Sequence, residues 1–349
     1  MIDGSVCIIG VYFGTLPEMF PIWVKSCTWN PTIDFLLITD QPVLNFPNNL
    51  HVIHSTLENF KQSAEKKLGF KISLERPYKL CDFRPAYGYL LQEYISEYEY
   101  WGLCDLDTVW GDIRTFIEKY EYRKYDKFLP MGHLMLYRNS QECNMRFMLD
   151  GSMVGNYMKV FTSSNSMLFD EVMGIGAIYR KHGFSEFTEN IYADISCMHC
   201  RMKLRVKPPI NNSIYDKYFP TKESNEDHQL FAWKKGKIYR LYWRAGTKSQ
   251  EEYIYIHLQK RSMKNFVDEE ASEFLIIPNC FINFNLDNVR EEDAKKYNAY
   301  KGILFEQIER LVYELQCKVK NLLKGNQRIV HIRRSSIQMN RSQQHLSDK

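Results

Sequence analysis

An α/β fold is predicted by three features of the 349-residue sequence. Short apolar runs alternate with stretches of helical character, several of the runs end in a carboxylate, and the connections between them are short. Together these predict a mixed, largely parallel sheet with helices on both faces. The length suffices for one large domain with additions, or for two. Hydrophobic residues make up 44% of the chain, aromatic residues 14% and charged residues 25%, the composition of an ordered globular protein rich in Tyr and Phe. A net charge of +4 is too mild to single out nucleic acid as a partner, and none is expected.

The first strand is predicted over Val6 to Val11, followed by the loop Tyr12-Phe13-Gly14-Thr15-Leu16-Pro17. Phe20 to Cys27 supplies a helix, Phe35 to Ile38 a buried strand ending at Thr39-Asp40, and His51 to His54 a third short strand. Thr56 to Leu68 reads as a polar helix entered from Ser55, and Tyr78 to Ile95 as a helix offset in its first turn by Pro85. The run Tyr98-Glu99-Tyr100-Trp101-Gly102-Leu103-Cys104 is a central strand that ends in Asp105-Leu106-Asp107. Asp112 to Tyr120 is a short helix, while Lys127 to Leu129 and Gly132 to Asn139 are strands.

From Asn144 to Leu204 five glycines break the chain into short helices and loops, expected to form one wall of a cleft. Leu230 to Trp243 is a hairpin turning at Gly236, and Tyr253 to Leu258 is a strand that runs into Gln259-Lys260-Arg261. Between Ile303 and Leu323 apolar residues recur at three- and four-residue steps, which predicts an amphipathic helix ended by Gly325. The expected organisation is a catalytic core over 1–260, a helical extension over 261–325 packing on it, and a basic, disordered tail over 326–349.

Asp105 and Asp107 carry the chemistry. In extended geometry residues i and i+2 point the same way, so both carboxylates face one divalent cation. Buried carboxylates behind an aromatic strand are costly unless a metal or hydrogen bonds satisfy them, and hard oxygen ligands suit Mn²⁺ or Mg²⁺. His257 at a strand end adds an imidazole nitrogen, while Lys260 and Arg261 reach phosphate oxygens. Metal and cations together suit a diphosphate leaving group. Asp170 and Glu171 are the candidate base for an attacking hydroxyl, with Asp194 next in line. Cys197-Met198-His199-Cys200 lacks the second ligand pair of a zinc site, and nine cysteines, an odd count, do not make a disulfide framework. With no basic leader and no run of about 18 apolar residues, a cytoplasmic protein is expected. A basic tail able to touch the inner face of a membrane goes with it.

These residues recur in short marks along most of the chain: Ile9-Gly10-Val11-Tyr12-Phe13-Gly14, Thr39-Asp40, Lys79-Leu80-Cys81-Asp82-Phe83-Arg84-Pro85, Trp101 to Asp107, Gly132-His133, and His257-Leu258-Gln259-Lys260-Arg261. In them the sequence resembles the glycosyltransferases of the Rossmann-like GT-A fold. It is more closely similar to a bacterial family of polysaccharide-biosynthesis transferases found with capsule and O-antigen genes. The resemblance implies that Asp105, Asp107 and His257 hold the metal. It assigns Gly10, Tyr12, Asp40, Lys79, Asp82, Arg84, Lys260 and Arg261 to the nucleotide-sugar, and Gly132 and His133 to the acceptor. Asp82 and Arg84 stand one residue closer than the Asp-x-x-Arg pair of related transferases. The implied reaction moves a sugar from a nucleotide-diphosphate donor, with UDP-sugar favoured, to a saccharide or lipid-linked oligosaccharide.

Two other readings compete. Asp105-Leu106-Asp107-Thr108-Val109 is also similar to the first motif of haloacid-dehalogenase-like phosphatases, although strands precede it here and no later acidic pair follows. A carbohydrate-binding subunit without turnover would suit the many aromatic residues, but has no need of carboxylates and cations converging on a diphosphate.

Overall fold

The computed structural model describes residues 2–197, 201–205, 226 and 228–298, which fall in one compact unit. Its strands in chain order are β1 (Ile2–Tyr12), β2 (Asp34–Thr39), β3 (Leu50–His54), β4 (Tyr98–Cys104), β5 (Thr108–Trp110), β6 (Lys127–Met131), β7 (Leu134–Arg138) and β8 (Glu186–Phe187). They continue as β9 (Ala193–Asp194), β10 (Gln229–Lys234), β11 (Lys237–Arg244), β12 (Thr247–Tyr253), β13 (Tyr255–His257), β14 (Lys264–Phe266), β15 (Glu273–Ile277) and β16 (Cys280–Asn283).

The main sheet has the order β3-β2-β1-β4-β7-β6-β8. β1 lies parallel to β2 and β4, and β7 runs antiparallel to β4. This is the mixed α/β class that the sequence predicts. Alternation along the strands builds a core on each face: Val6 and Ile8 of β1, with Phe35 and Leu37 of β2, point to one, while Cys7, Ile9, Leu36 and Ile38 point to the other. The helices Phe20–Thr28 and Leu57–Leu68 form where the sequence predicts them. Thr56 caps the second by accepting from the Asn59 N–H, and Gly69 ends it in the left-handed conformation.

After β1 the chain moves outward to β2 and β3, then returns to the other side of β1 as β4. Ligands in open α/β sheets bind at such a reversal, beyond the carboxyl ends of the strands. The loop after β1 and the segment after β4 meet there.

A second sheet of order β12-β11-β10-β15-β16-β14 buries Phe231 and Trp233 on one face and Leu230 and Ala232 on the other. The indole N–H of Trp233 donates to the Trp110 carbonyl at 3.0 Å, which ties this sheet to β5. A third sheet, β5-β13-β9, takes β5 from the chain leaving the main sheet after β4 and β13 from the chain leaving the second sheet after β12.

Four expectations are corrected. Tyr78 to Ile95 is not one helix but a 3₁₀ segment, Pro77–Ala86, and two short turns, Tyr87–Leu90 and Gln92–Ile95. Pro85 has no N–H to continue an α-helical ladder. Asp105 to Asp107 is a bend between β4 and β5 rather than extended strand. The strand expected over Tyr253 to Leu258 divides into the end of β12 and the whole of β13, which belong to different sheets. Residues 261–283 hold β14, β15 and β16 instead of a helical extension, with a short helix following at Glu291–Tyr297. The amphipathic stretch 303–323 and the basic tail lie outside the described residues.

Gly102 of β4 shows how tightly the main sheet closes. A Cβ there would stand 2.6 Å from Leu136 Cδ2 and 2.9 Å from the Met135 carbonyl oxygen. Backbone cannot retreat as a flexible side chain would, so Gly102→Ala is expected to destabilise the fold by about 1–3 kcal/mol, the scale of overpacking. Urea unfolding at constant m-value measures it.

Candidate functional site

The bend at Asp105-Leu106-Asp107 is the crossing from the main sheet into the three-stranded one. The Thr108 hydroxyl donates to the Asp105 carbonyl at 2.8 Å, and β5 pairs antiparallel with β13 so that Thr108 stands opposite His257. This register delivers the imidazole to the acidic bend from about 150 residues away in sequence. His257 Nε2 lies 3.3 Å from Asp107 Oδ1 and 3.9 Å from Asp105 Oδ2. One ligand atom from each of the three residues falls within 4.8 Å of the others. On its other side His257 Nδ1 meets Asp194 Oδ1 at 2.8 Å. Two carboxylates and an imidazole whose second nitrogen is already engaged form a donor set that fits Mn²⁺ or Mg²⁺.

The chain also closes over Asp107 from above. The Leu258 N–H donates to the Asp107 carbonyl at 2.8 Å, and the Lys260 N–H to the Asp107 carboxylate at 3.2 Å. Gln259 and Lys260 take positive φ values of 27° and 58° to make this turn. Burial works against ionisation of Asp107, but His257 and the Lys260 N–H outweigh it and hold the carboxyl well below its usual range. Burial lowers the basicity of His257, yet the adjoining Asp107 and Asp194 raise it well above the ordinary value.

Above this group is a cavity of about 840 Å³. Tyr12, Phe13 and Glu18 line it from the β1 side, Tyr78, Cys81 and Arg84 from the 3₁₀ segment, and Leu168, Asp170 and Glu171 from the glycine-broken wall. Arg84 bridges these sides. Its guanidinium pairs with Asp105 and, at 3.0 Å, with Asp170, and it donates to the Gly132 carbonyl at 3.1 Å. Burial pushes the Asp170 carboxyl well above the normal carboxylate range, with Arg84 opposing it. Burial raises Glu171 as well, against the pull of Arg205. A Cβ on Gly132 would sit 2.7 Å from Asp170 Oδ2, so only glycine admits the carboxylate so close to the backbone.

The predicted residues therefore separate. Asp105, Asp107, His257, Tyr12, Arg84, Asp170, Glu171, Lys260 and Arg261 all line the cavity. Gly10, Asp40, Lys79, Asp82, Gly132 and His133 are not among its lining residues. Gly10 makes room for Leu106, whose Cδ2 would lie 3.3 Å from an added Cβ. Asp40 accepts from the Gly14 N–H at 2.9 Å and so fixes the loop after β1. His133 is buried, stacked on His257 with ring centroids 4.3 Å apart. The Arg261 guanidinium is engaged by the carbonyls of Ser196 and Arg201 and by Asn279. Lys260 is exposed at the rim.

Lys79 and Asp82 form a fully buried pair at 2.6 Å beneath the wall. Lys79 Nζ also donates to the carbonyls of Val160 and Asn165, and Asp82 accepts the N–H groups of Met167 and Phe169. Between those two amides sits Leu168, with φ +57°. The pair clamps a left-handed turn that presents Leu168 and Asp170 to the cavity. Such a role leaves no trace in a linear sequence, because its partners are backbone amides more than 80 residues away. Among the cavity residues not singled out from sequence are Tyr78, Leu168 and Arg205. An exposed aromatic beside a proline carries no signal of its own until a pocket surrounds it.

Removing one partner of a fully buried ion pair strands the other, so Asp82→Ala is expected to cost about 3–5 kcal/mol of stability. Lys260→Ala, at an exposed position, is expected to stay within about 0.5 kcal/mol of the wild type. Denaturant unfolding of both variants decides the point. An Asp82→Ala protein as stable as the wild type would return Asp82 to ligand binding.

A comparison with curated proteins gives no match. Among solved structures the chain is similar to mouse xyloside xylosyltransferase 1 in its apo form, at 9% identity and a TM-score of 0.43, covering 74% of this chain and 99% of that one. It is also similar to the galactosyltransferase LgtC in complex with donor and acceptor sugar analogs, at 10% identity and a TM-score of 0.36, covering 62% and 83%. An active-site mutant of LgtC gives 12% identity with the same score and coverage. Residues 8–285 match the family described as "Family of unknown function (DUF6625)", and with that span the chain belongs to it.

Proposed function

We propose that this chain is a metal-dependent glycosyltransferase of the GT-A kind. It transfers a sugar from a nucleotide-diphosphate donor, UDP-linked by preference, to a saccharide or lipid-linked oligosaccharide acceptor in surface polysaccharide synthesis. The observation that carries the reading is the convergence of Asp105, Asp107 and His257 within 4.8 Å on the floor of the cavity at the sheet's reversal point. No helix among the described residues is long and apolar enough to cross a membrane.

The chemistry assigned to each residue follows from its position. Asp105, Asp107 and His257 would hold the divalent cation, which would supply positive charge to the leaving diphosphate. Tyr12 and the loop fixed by Asp40 form the nucleoside side. Lys260, exposed beside the Asp107 turn, reaches the phosphates, while Arg261 holds the neighbouring loop that shapes the rim. Arg84 and Asp170 face the transferred sugar. One of the two carboxylates, Asp170 or Glu171, both shifted toward stronger basicity, takes the proton of the attacking hydroxyl. Tyr78 and Leu168, 59% and 49% exposed at the mouth, offer apolar surface to the face of an acceptor ring.

A panel of sugar-nucleotides screened for turnover or slow hydrolysis tests the proposal, because hydrolysis needs no acceptor. Activity is expected with Mn²⁺ or Mg²⁺ and is lost in EDTA. Asp105→Ala, Asp107→Ala and His257→Ala should abolish it. Lys260→Ala should lower kcat by about 10²-fold, the scale of one deleted preorganised charge, with a smaller effect on donor affinity. Metal-independent turnover would overturn the reading, and release of phosphate from simple esters without any sugar-nucleotide would favour the phosphatase.

A further inference from the structure

β9 and β13 run parallel, and their register places Asp194 beside His257. Asp194 lies behind the cavity wall, only 5% exposed, with Oδ1 2.8 Å from Nδ1 of His257. The opposite nitrogen of that ring, Nε2, faces Asp107 at 3.3 Å and Asp105 at 3.9 Å. His133 covers the ring face with centroids 4.3 Å apart and is itself held through Nδ1 by the Tyr255 hydroxyl at 2.6 Å. The imidazole is thus fixed in plane by a carboxylate and in tilt by a stacked ring.

We infer that Asp194 is a positioning residue for the metal site, accepting the Nδ1–H of His257 and so reserving the Nε2 lone pair for the cation. The inference rests on the metal-dependent reading above. A neutral imidazole carries one N–H and one lone pair, and which nitrogen carries which is set by what the other side offers. A buried carboxylate on Nδ1 selects the tautomer whose lone pair points toward Asp105 and Asp107, and makes that nitrogen a stronger donor. The same contact removes Asp194 from the set of candidate bases, since it does not line the cavity. His133, Asp194 and His257 also offer ligand atoms within 4.8 Å of one another. The 2.8 Å bond between two of them marks that group as support for the ring rather than as a second ion site.

The test titrates Mn²⁺, alone and with excess UDP, into the wild type, Asp194→Asn, Asp194→Ala and Asp107→Ala. Calorimetry gives affinity and stoichiometry, and circular dichroism confirms folding. Asp194→Ala is expected to weaken Mn²⁺ binding by about 10–100-fold, the usual effect of losing a ligand's hydrogen-bonded partner. Asp194→Asn, similar in shape and still able to accept from Nδ1–H through its amide oxygen, should lose less and guards against a folding artefact. If both Asp194 variants bind Mn²⁺ like the wild type while Asp107→Ala does not, Asp194 is only structural and the metal reading survives without it. Two ions in the wild type and one in Asp194→Ala would make Asp194 a ligand and overturn the inference. No Mn²⁺ binding by the wild type would remove the metal reading and this inference with it.

Discussion

The pairing of Thr108 with His257 is the contact on which the site depends. It joins a strand that leaves the main sheet to one that arrives after most of the chain has been laid down. Without it Asp105 and Asp107 would be two carboxylates on the floor of a crevice, partly buried and repelling one another. With it they acquire a cation-like neighbour, and the turn Leu258 to Arg261 folds back to give Asp107 two backbone N–H donors. Long-range strand register, rather than any local motif, makes the group a coherent donor set.

The electrostatics follow from that assembly. Asp105, Asp107, Asp170 and Glu171 surround one cavity, and such a concentration of carboxylates in a partly desolvated place is unfavourable unless positive charge is interleaved. Arg84 supplies it between Asp105 and Asp170, and His257 between Asp107 and Asp194. Loss of Arg84 would strip the buried Asp170 of its guanidinium partner, whereas Asp194 keeps Arg205 at 3.5 Å if His257 is lost. The protein holds its acidic residues apart by threading bases between them.

Much of this was legible in the sequence, though unevenly. The strands around β1 and the acidic end of β4 were readable because central strands buried on both faces are continuous apolar runs, whatever packs against them. His257 was readable because it ends such a run beside basic residues. The bend at Asp105-Leu106-Asp107 was not, since the same residues suit an extended strand end until β5 is seen to enter another sheet. β12 was not, because its sequence Thr247-Lys248-Ser249-Gln250-Glu251-Glu252-Tyr253 is polar and none of its residues is fully buried. Lys79 and Asp82 read as ligands because charged residues near a motif invite that reading, and only their complete burial redirects it.

The clamp beneath Leu168 separates two tasks that loops usually confound. The Lys79–Asp82 pair grips the backbone of residues 160–169 from inside, so the shape of the turn owes little to the side chains it displays. The exposed Leu168 can therefore be exchanged without loosening the frame, whereas Asp170 is tied to Arg84. Shape and display are thereby set by different residues: the buried pair holds the turn, and Leu168 only decorates it.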